Sequence, residues 1–511
     1  MTRRRDIRRA RILIASTAIT ALAAFPVTAS AATGPTVISG DSLFTAGCSG
    51  HSEPGTNALN TEVEPHLSVN PASAGNMVAA WQQDRWSNGG SHGNVTAFTK
   101  DGGTTWTKSV PLFTRCALVQ QGLGADSPTQ PGHLWDRGTD PWVSFGPSGN
   151  VVHQVSDSFN VTGAGFGNGS SILYARSADG GQTWQKPIVL QQDLNNTVLN
   201  DKESVTADPD GTHVYAVWDR LESPPSNDHA NPIATEHAIG YHGPTLFASS
   251  SDGGTTWAPS KVILDPGTVN QTIANQIVVG RDGTLYNGFD LIQNVSNQNK
   301  IRGDNVAIQT SINKGLTWSG ATVVSKLVPT NIVTPGDNQP IRTGDIIPDF
   351  ATDTSMTSGP GAIYAVWQDA RFSGTTSGIA FTKSVDGGHT WTTPTRVDDA
   401  GAAQAFNASV DVDSTGRIAV TWYDFRNDTT DTATALADIW TRFSTDGGVT
   451  WSASRRLTPS PFDIKKAPQA HGFFLGDYTG LAHAGSTFWL DAGITSNDPA
   501  PNSDIVVAST P

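Results

Sequence analysis

Cysteine is almost absent from this chain of 511 residues: Cys48 and Cys116 are its only two. That is too few for a zinc–thiolate centre. Long apolar runs are also missing after the N-terminal stretch Ile12–Ala24, which is itself shorter than the ~20 residues of a membrane span. Basic residues are scarce, with 32 Lys and Arg against 46 Asp and Glu and a formal charge of −14. Such a balance argues against nucleic acid and anionic lipid as partners. No His-Glu-x-x-His zinc motif or phosphate-binding loop occurs, so the chemistries that these motifs serve have no support.

The N-terminus reads as an export signal. Arg3, Arg4, Arg5, Arg8, Arg9 and Arg11 form a basic segment, Ile12–Ala24 an apolar one, and Ala29-Ser-Ala31 a small-x-small cleavage site. A secreted, extracellular protein cleaved near Ala31 is expected. Losing residues 1–31 removes six Arg and one Asp and moves the charge to −19. In an exported chain the two cysteines are expected to form a disulfide that fastens the N-terminal segment to the link at Cys116; two free thiols are the alternative.

Glycine (52), proline (30) and tryptophan (15) are plentiful, a profile of short strands and turns. Six eight-residue blocks set the spacing. They are Thr99-Lys-Asp-Gly-Gly-Thr-Thr-Trp106 and its counterparts at 177–184, 250–257, 311–318, 384–391 and 444–451, with the pattern Ser/Thr-x-Asp-x-Gly-x-Thr-Trp. Strand-like apolar runs flank the blocks, so each is a hairpin turn. Gly supplies positive φ, Asp accepts turn amides, and Trp packs its ring beneath. In the fourth block Asn313 keeps the acceptor.

This block is the Asp box, and the chain resembles the sialidase-like, Asp-box (BNR) β-propeller proteins. The period of about 60–78 residues suits a four-stranded propeller blade with long loops. First strands begin near Glu64, Asp140, Glu203, Asn275, Asp349, Asn407 and Phe474, which is one more than the boxes. We therefore expect an all-β, seven-bladed propeller occupying residues 32–511 as a single domain. Its last blade would be completed by pairing Pro35–Ser39 with the strand around Ile505–Ala508. The alternative is a six-bladed ring with residues 462–511 appended.

Strand alternation sends the second-to-third and fourth-to-first connections to one face. Acid and arginine residues collect there: Asp140, Glu203, Asp477 and Tyr478 are candidate catalytic groups, and Arg85, Arg220, Arg371 and Arg426 candidate substrate ligands. The resemblance implies a glycoside hydrolase acting on terminal sugars, with exo-α-sialidase activity as one form. In that family three arginines clamp a carboxylate and a Glu-assisted Tyr attacks. The family's Arg-Ile-Pro signature is missing here, and Ile341-Arg342 matches it in neither sequence nor position. A non-catalytic propeller that binds glycan or another surface ligand is the alternative. An Asp/Arg pair recurring at equivalent positions also reads as a structural salt bridge. The expected partner is a glycan or glycoconjugate, the expected state a monomer. No cofactor is expected, with structural calcium left open among the acidic loops; Asp411–Gly416 has the start of a calcium loop but lacks its full ligand run and fits a turn between first and second strands better.

Overall fold

The computed structural model describes residues 34–162, 165–223, 242–268, 270–294, 301–355 and 361–511. The expected signal segment and most of the linker between Leu221 and His242 lie outside them.

The described strands fall into seven four-stranded antiparallel meanders. Their first strands are Glu62–Val69, Arg137–Phe145, Val198–Ala207, Asn270–Val279, Asp349–Thr352, Ala405–Val412 and Gly480–Ala484. These strands touch in cyclic order, and the last returns to the first, so they line the axis of a propeller. Thr36 pairs with Val507 and Val37 with Val506, which makes the N-terminal strand the fourth of the C-terminal unit. This pairing covers a sheet edge and fastens the two ends of the chain together. Phe474 does not open a first strand. Phe473–Phe474 pairs in parallel with Pro340–Arg342, placing a small three-stranded sheet at the charged face.

The core lies between the units. Trp81, Trp218, Trp367 and Trp422, all on second strands, are fully buried. Each satisfies its indole N–H with a nearby side chain, as in Trp218 to Asn200 Oδ1 at 3.1 Å and Trp422 to Asp424 Oδ2 at 2.9 Å. Their place is packing, with no ring left for a sugar to stack on.

The Asp boxes are turns held from within. Asp386 accepts the Thr390 N–H at 2.9 Å and the Thr390 hydroxyl at 2.5 Å. Asn313 does the same work, accepting the Thr317 N–H at 2.9 Å and donating to its hydroxyl at 2.8 Å. Gly254 of the third box has φ +81°, and a Cβ there would collide with the Tyr174 hydroxyl. Cys48 and Cys116 are joined with Cα atoms 4.9 Å apart, so the N-terminal segment is fastened to the short helix Arg115–Gln120. Asp413 of the Asp411–Gly416 loop accepts the Thr415 and Arg417 N–H groups and pairs with the Arg417 guanidinium at 3.1 Å. It caps a turn.

Candidate active site

Five of the first strands carry the same irregularity close to the axis. Register slips between Val63 and His66, Thr139 and Trp142, Asp201 and Ser204, Ile273 and Gln276, and Phe406 and Ser409. Within each bulge one residue takes positive φ: Glu64, Asp140, Lys202, Ala274 and Asn407, at 45–60°. In the seventh unit Gly476 holds φ 133° immediately before Asp477. A bulge re-aims the side chains around it, and non-glycine residues adopt such φ values at a cost of order 1–2 kcal/mol. Here it turns charged side chains from three units toward one another.

The result is a buried ion cluster. Lys202 Nζ donates to Asp477 Oδ2 at 2.8 Å, Asp140 Oδ1 at 2.9 Å and Glu64 Oε1 at 3.4 Å. Arg342 grips the same Asp477 with two nitrogens, Nε to Oδ1 at 3.1 Å and Nη2 to Oδ2 at 2.6 Å. The guanidinium groups of Arg342 and Arg85 lie 4.5 Å and 4.8 Å from the centre of the Phe474 ring. Arg85 is buried and donates to Gln82. Low dielectric makes these pairings strong and makes any unpaired member costly.

The carboxyl groups are pushed in opposite directions. Burial alone would raise Asp477, but Arg342 and Lys202 outweigh it and hold the group well below the usual carboxylate range. Glu203 goes the other way: burial, then the charges of Asp140 and Asp157, raise it far above that range. Neither Glu203 oxygen has a side-chain partner, and only its own backbone N–H leans on it. Glu64 is also raised, by burial and Asp140. The Tyr478 hydroxyl is buried without a hydrogen-bond partner, and burial with the charges of Asp140 and Glu64 keeps it neutral. The Tyr478 ring leans on Trp142, with centroids 5.6 Å apart, and Trp142 stacks on His66 at 3.7 Å.

Lys202, Glu203, Asp477 and Tyr478 line one axial cavity of about 40 Å³, together with Trp142 and Asp349. Asp140 stands behind Lys202. Three of the four expected catalytic residues therefore share the cavity, and the fourth touches it through the lysine. Alternation alone admits only one of Asp477 and Tyr478; the backbone at Gly476 admits both.

The expected arginine clamp is corrected by the structure. Arg220 pairs with Asp193 through two nitrogens, at 2.7 and 3.2 Å, and with Glu222. Arg371 binds Asp369 at 2.8 Å, and Arg426 binds Asp424 at 2.7 Å and Asp399 at 2.8 Å while lying 3.9 Å from the Trp440 ring centre. Each guanidinium is paired with a nearby acid of its own, so Arg220, Arg371 and Arg426 do not converge. Arg85 alone of the four belongs to the centre. Lys202 and Arg342 take the cationic roles, and neither was singled out from sequence. Lys202 sits between two acids in Asp201-Lys-Glu203 in the middle of a first strand, the one signal that could have marked it.

Among the described residues, one His/Cys/Asp/Glu group has metal-ligand spacing, Cys48, His92 and Cys116. Its cysteines are spent in the disulfide.

The BNR/Asp-box repeat model matches residues 442–453, the sixth box with its flanks. No curated protein sequence matches the chain. Among solved structures it is similar to a Hadza microbial sialidase, Hz136, at 17% identity over 86% of this chain and 74% of that one, with a TM-score of 0.46. It is also similar to the Fusarium graminearum α-L-arabinofuranosidase Arb93A at 9% identity over 94% and 98%, TM-score 0.43. A third is the Trypanosoma rangeli sialidase in complex with sialic acid, at 14% identity over 94% and 59%, TM-score 0.41. The chain is thus similar to sialidase-like Asp-box propellers, and its own fold rests on the strand pairing above.

Proposed function

We propose that this chain is a secreted, glycan-directed hydrolase of sialidase-like build, with its acid/base centre on the propeller axis. The observation that carries the reading is the opposed pair in one cavity: Glu203, kept protonated, and Asp477, kept ionised. Two carboxyl groups whose environments drive their proton affinities apart are the arrangement that glycoside hydrolysis uses. Glu203 takes the part of general acid toward the leaving oxygen, and Asp477 that of the ionised partner. Tyr478 packs and shapes the wall.

The charge balance favours a neutral terminal sugar over sialic acid. Lys202 and Arg342 are committed to Asp477, Asp140 and Glu64, and Arg85 stands as a single guanidinium bonded to Gln82, so no trio of arginines converges to clamp a substrate carboxylate.

A non-catalytic glycan-binding propeller is the second reading, and cavity size favours it. About 40 Å³ holds water, far below the ~300 Å³ of small ligand pockets, so a sugar must engage the mouth above the cavity. A release screen with purified residues 32–511 on oligosaccharides with neutral or sialylated ends separates the two. Release of neutral sugars, lost in Glu203→Gln, supports hydrolysis; glycan binding with no release from any substrate supports the second reading.

A further inference from the structure

Asp140 is reached by a run of hydrogen bonds that begins at Arg85. Arg85 Nη1 donates to Gln82 Oε1, Gln82 Nε2 to Thr139 Oγ1 at 2.7 Å, and the Thr139 hydroxyl to Asp140 Oδ2 at 2.9 Å. Lys202 Nζ takes the other oxygen, Oδ1, at 2.9 Å. The run passes from the second strand of the first unit, Met77–Arg85, to the first strand of the second, Arg137–Phe145, and meets Lys202 of the third. All five residues are buried.

Its direction is fixed by what each group can do. A guanidinium only donates, so the Gln82 oxygen faces Arg85 and the Gln82 nitrogen faces Thr139. That nitrogen also only donates, so the Thr139 oxygen accepts there and its single proton is left for Asp140. The Lys202 ammonium donates as well. Both oxygens of Asp140 therefore accept, which is the bonding of a carboxylate and works against a proton on either. The Thr139 backbone is held in turn, its carbonyl accepting Asn94 Nδ2 at 2.9 Å. That carboxylate bears on Glu203. Burial first, then the charge of Asp140, then those of Asp157 and Asp201 raise the Glu203 carboxyl. Lys202, Asp349, Asp477 and Tyr478 are the other titratable groups on the same cavity. Lys202 divides itself among Asp140, Asp477 and Glu64, whereas the one Thr139 hydroxyl proton serves Asp140.

We propose that Thr139, aligned by Gln82, is a positioning residue of the axial centre, whose hydroxyl holds Asp140 as the carboxylate beside Glu203. The inference rests on the hydrolase reading for its consequence, a Glu203 that keeps its proton until a leaving oxygen takes it.

The chain has only six glutamates, so carbon-13 labelling of glutamate side-chain carboxyls gives few NMR signals, and the one lost in Glu203→Gln is that of Glu203. In purified residues 32–511 this signal should stay in its protonated position through pH 7. Thr139→Val keeps the shape of the side chain and removes the hydroxyl. With the hold on the Asp140 charge weakened, the Glu203 titration should move to lower pH by about one unit, the fold being intact by circular dichroism. Thr139→Ala serves if Thr139→Val does not fold. Asp140→Asn, which removes the charge itself, should move the titration at least as far, and Thr139→Ser, which restores the hydroxyl, should titrate as the parent does. On whichever glycan is released, the alkaline limit of kcat should move with the titration. An unmoved Glu203 titration in Thr139→Val or in Asp140→Asn, or an equal shift in Thr139→Ser, overturns the inference. The expected shifts in a protein that releases no sugar leave the proton placement standing and overturn the hydrolase reading alone.

Discussion

Lys202 Nζ donates to Asp477 Oδ2 at 2.8 Å, although 275 residues separate them in sequence. The bond links the third unit to the seventh across the propeller axis. One ammonium serves three acids there, with Glu64 and Asp140 on its other protons. Replacing Lys202 by Met leaves these acids short of a cation in low dielectric. The expected loss is roughly 3–5 kcal/mol, read as a lower denaturation midpoint in urea with unchanged far-UV circular dichroism. Wild-type stability in that variant would show that the cluster holds nothing together.

Asp349 gives a pH signature. Burial raises its carboxyl to about 7, although Val410 and Phe350 N–H groups bond it at 2.8 and 3.0 Å. The folded chain thus holds a proton there that the unfolded chain releases near pH 4. Its contribution is complete below pH 4, falls as pH rises to about 7, and is flat above. Against Asp349→Asn, which does not titrate, the unaltered protein should lose stability between pH 4 and 7. Parallel curves across that window would remove the assignment.

The disulfide closes a 68-residue separation. Chain entropy for such a loop predicts a loss of about 4 kcal/mol when both Cys48 and Cys116 become Ala. Calorimetry should show a lower Tm, and a reducing agent should shift the parent protein to match. No change on reduction would mean that the N-terminal segment is held by packing alone.

The Asp boxes should matter to folding and not to glycan chemistry. Asp386→Ala removes the acceptor for the Thr390 N–H and hydroxyl at an exposed turn, a cost of roughly 1 kcal/mol. A modestly lower Tm with unaltered glycan release or binding is the expected result. Lost function at an unchanged Tm would give the boxes a role at the site.

Much of the architecture was legible because it repeats. Six boxes fix the hairpins, and the surplus first strand pointed to the pairing now seen between Thr36–Val37 and Val506–Val507. The ion cluster was harder to read. Alternation treats a strand as regular, whereas the bulges at Glu64, Asp140 and Lys202 break it and re-aim the side chains that matter. Arg342 escaped for another reason: it stands on a short strand paired with Phe473–Phe474 from 132 residues later, a contact with no local signature. Arg220, Arg371 and Arg426 misled because a salt bridge and a ligand clamp use the same residues, and only geometry tells them apart.

The central claim is that Glu203, and not Tyr478, carries proton transfer to the departing sugar. The direct measurement is kcat of Glu203→Gln and Tyr478→Phe on whichever glycan the unaltered protein cleaves. Tyr478→Phe keeps the ring against Trp142 and loses a hydroxyl that bonds nothing, so turnover should stay close to that of the parent. Glu203→Gln should fall by about 10²–10⁴, the range of a lost general acid. An inactive Tyr478→Phe beside an active Glu203→Gln would contradict the account and return the mechanism to a tyrosine nucleophile.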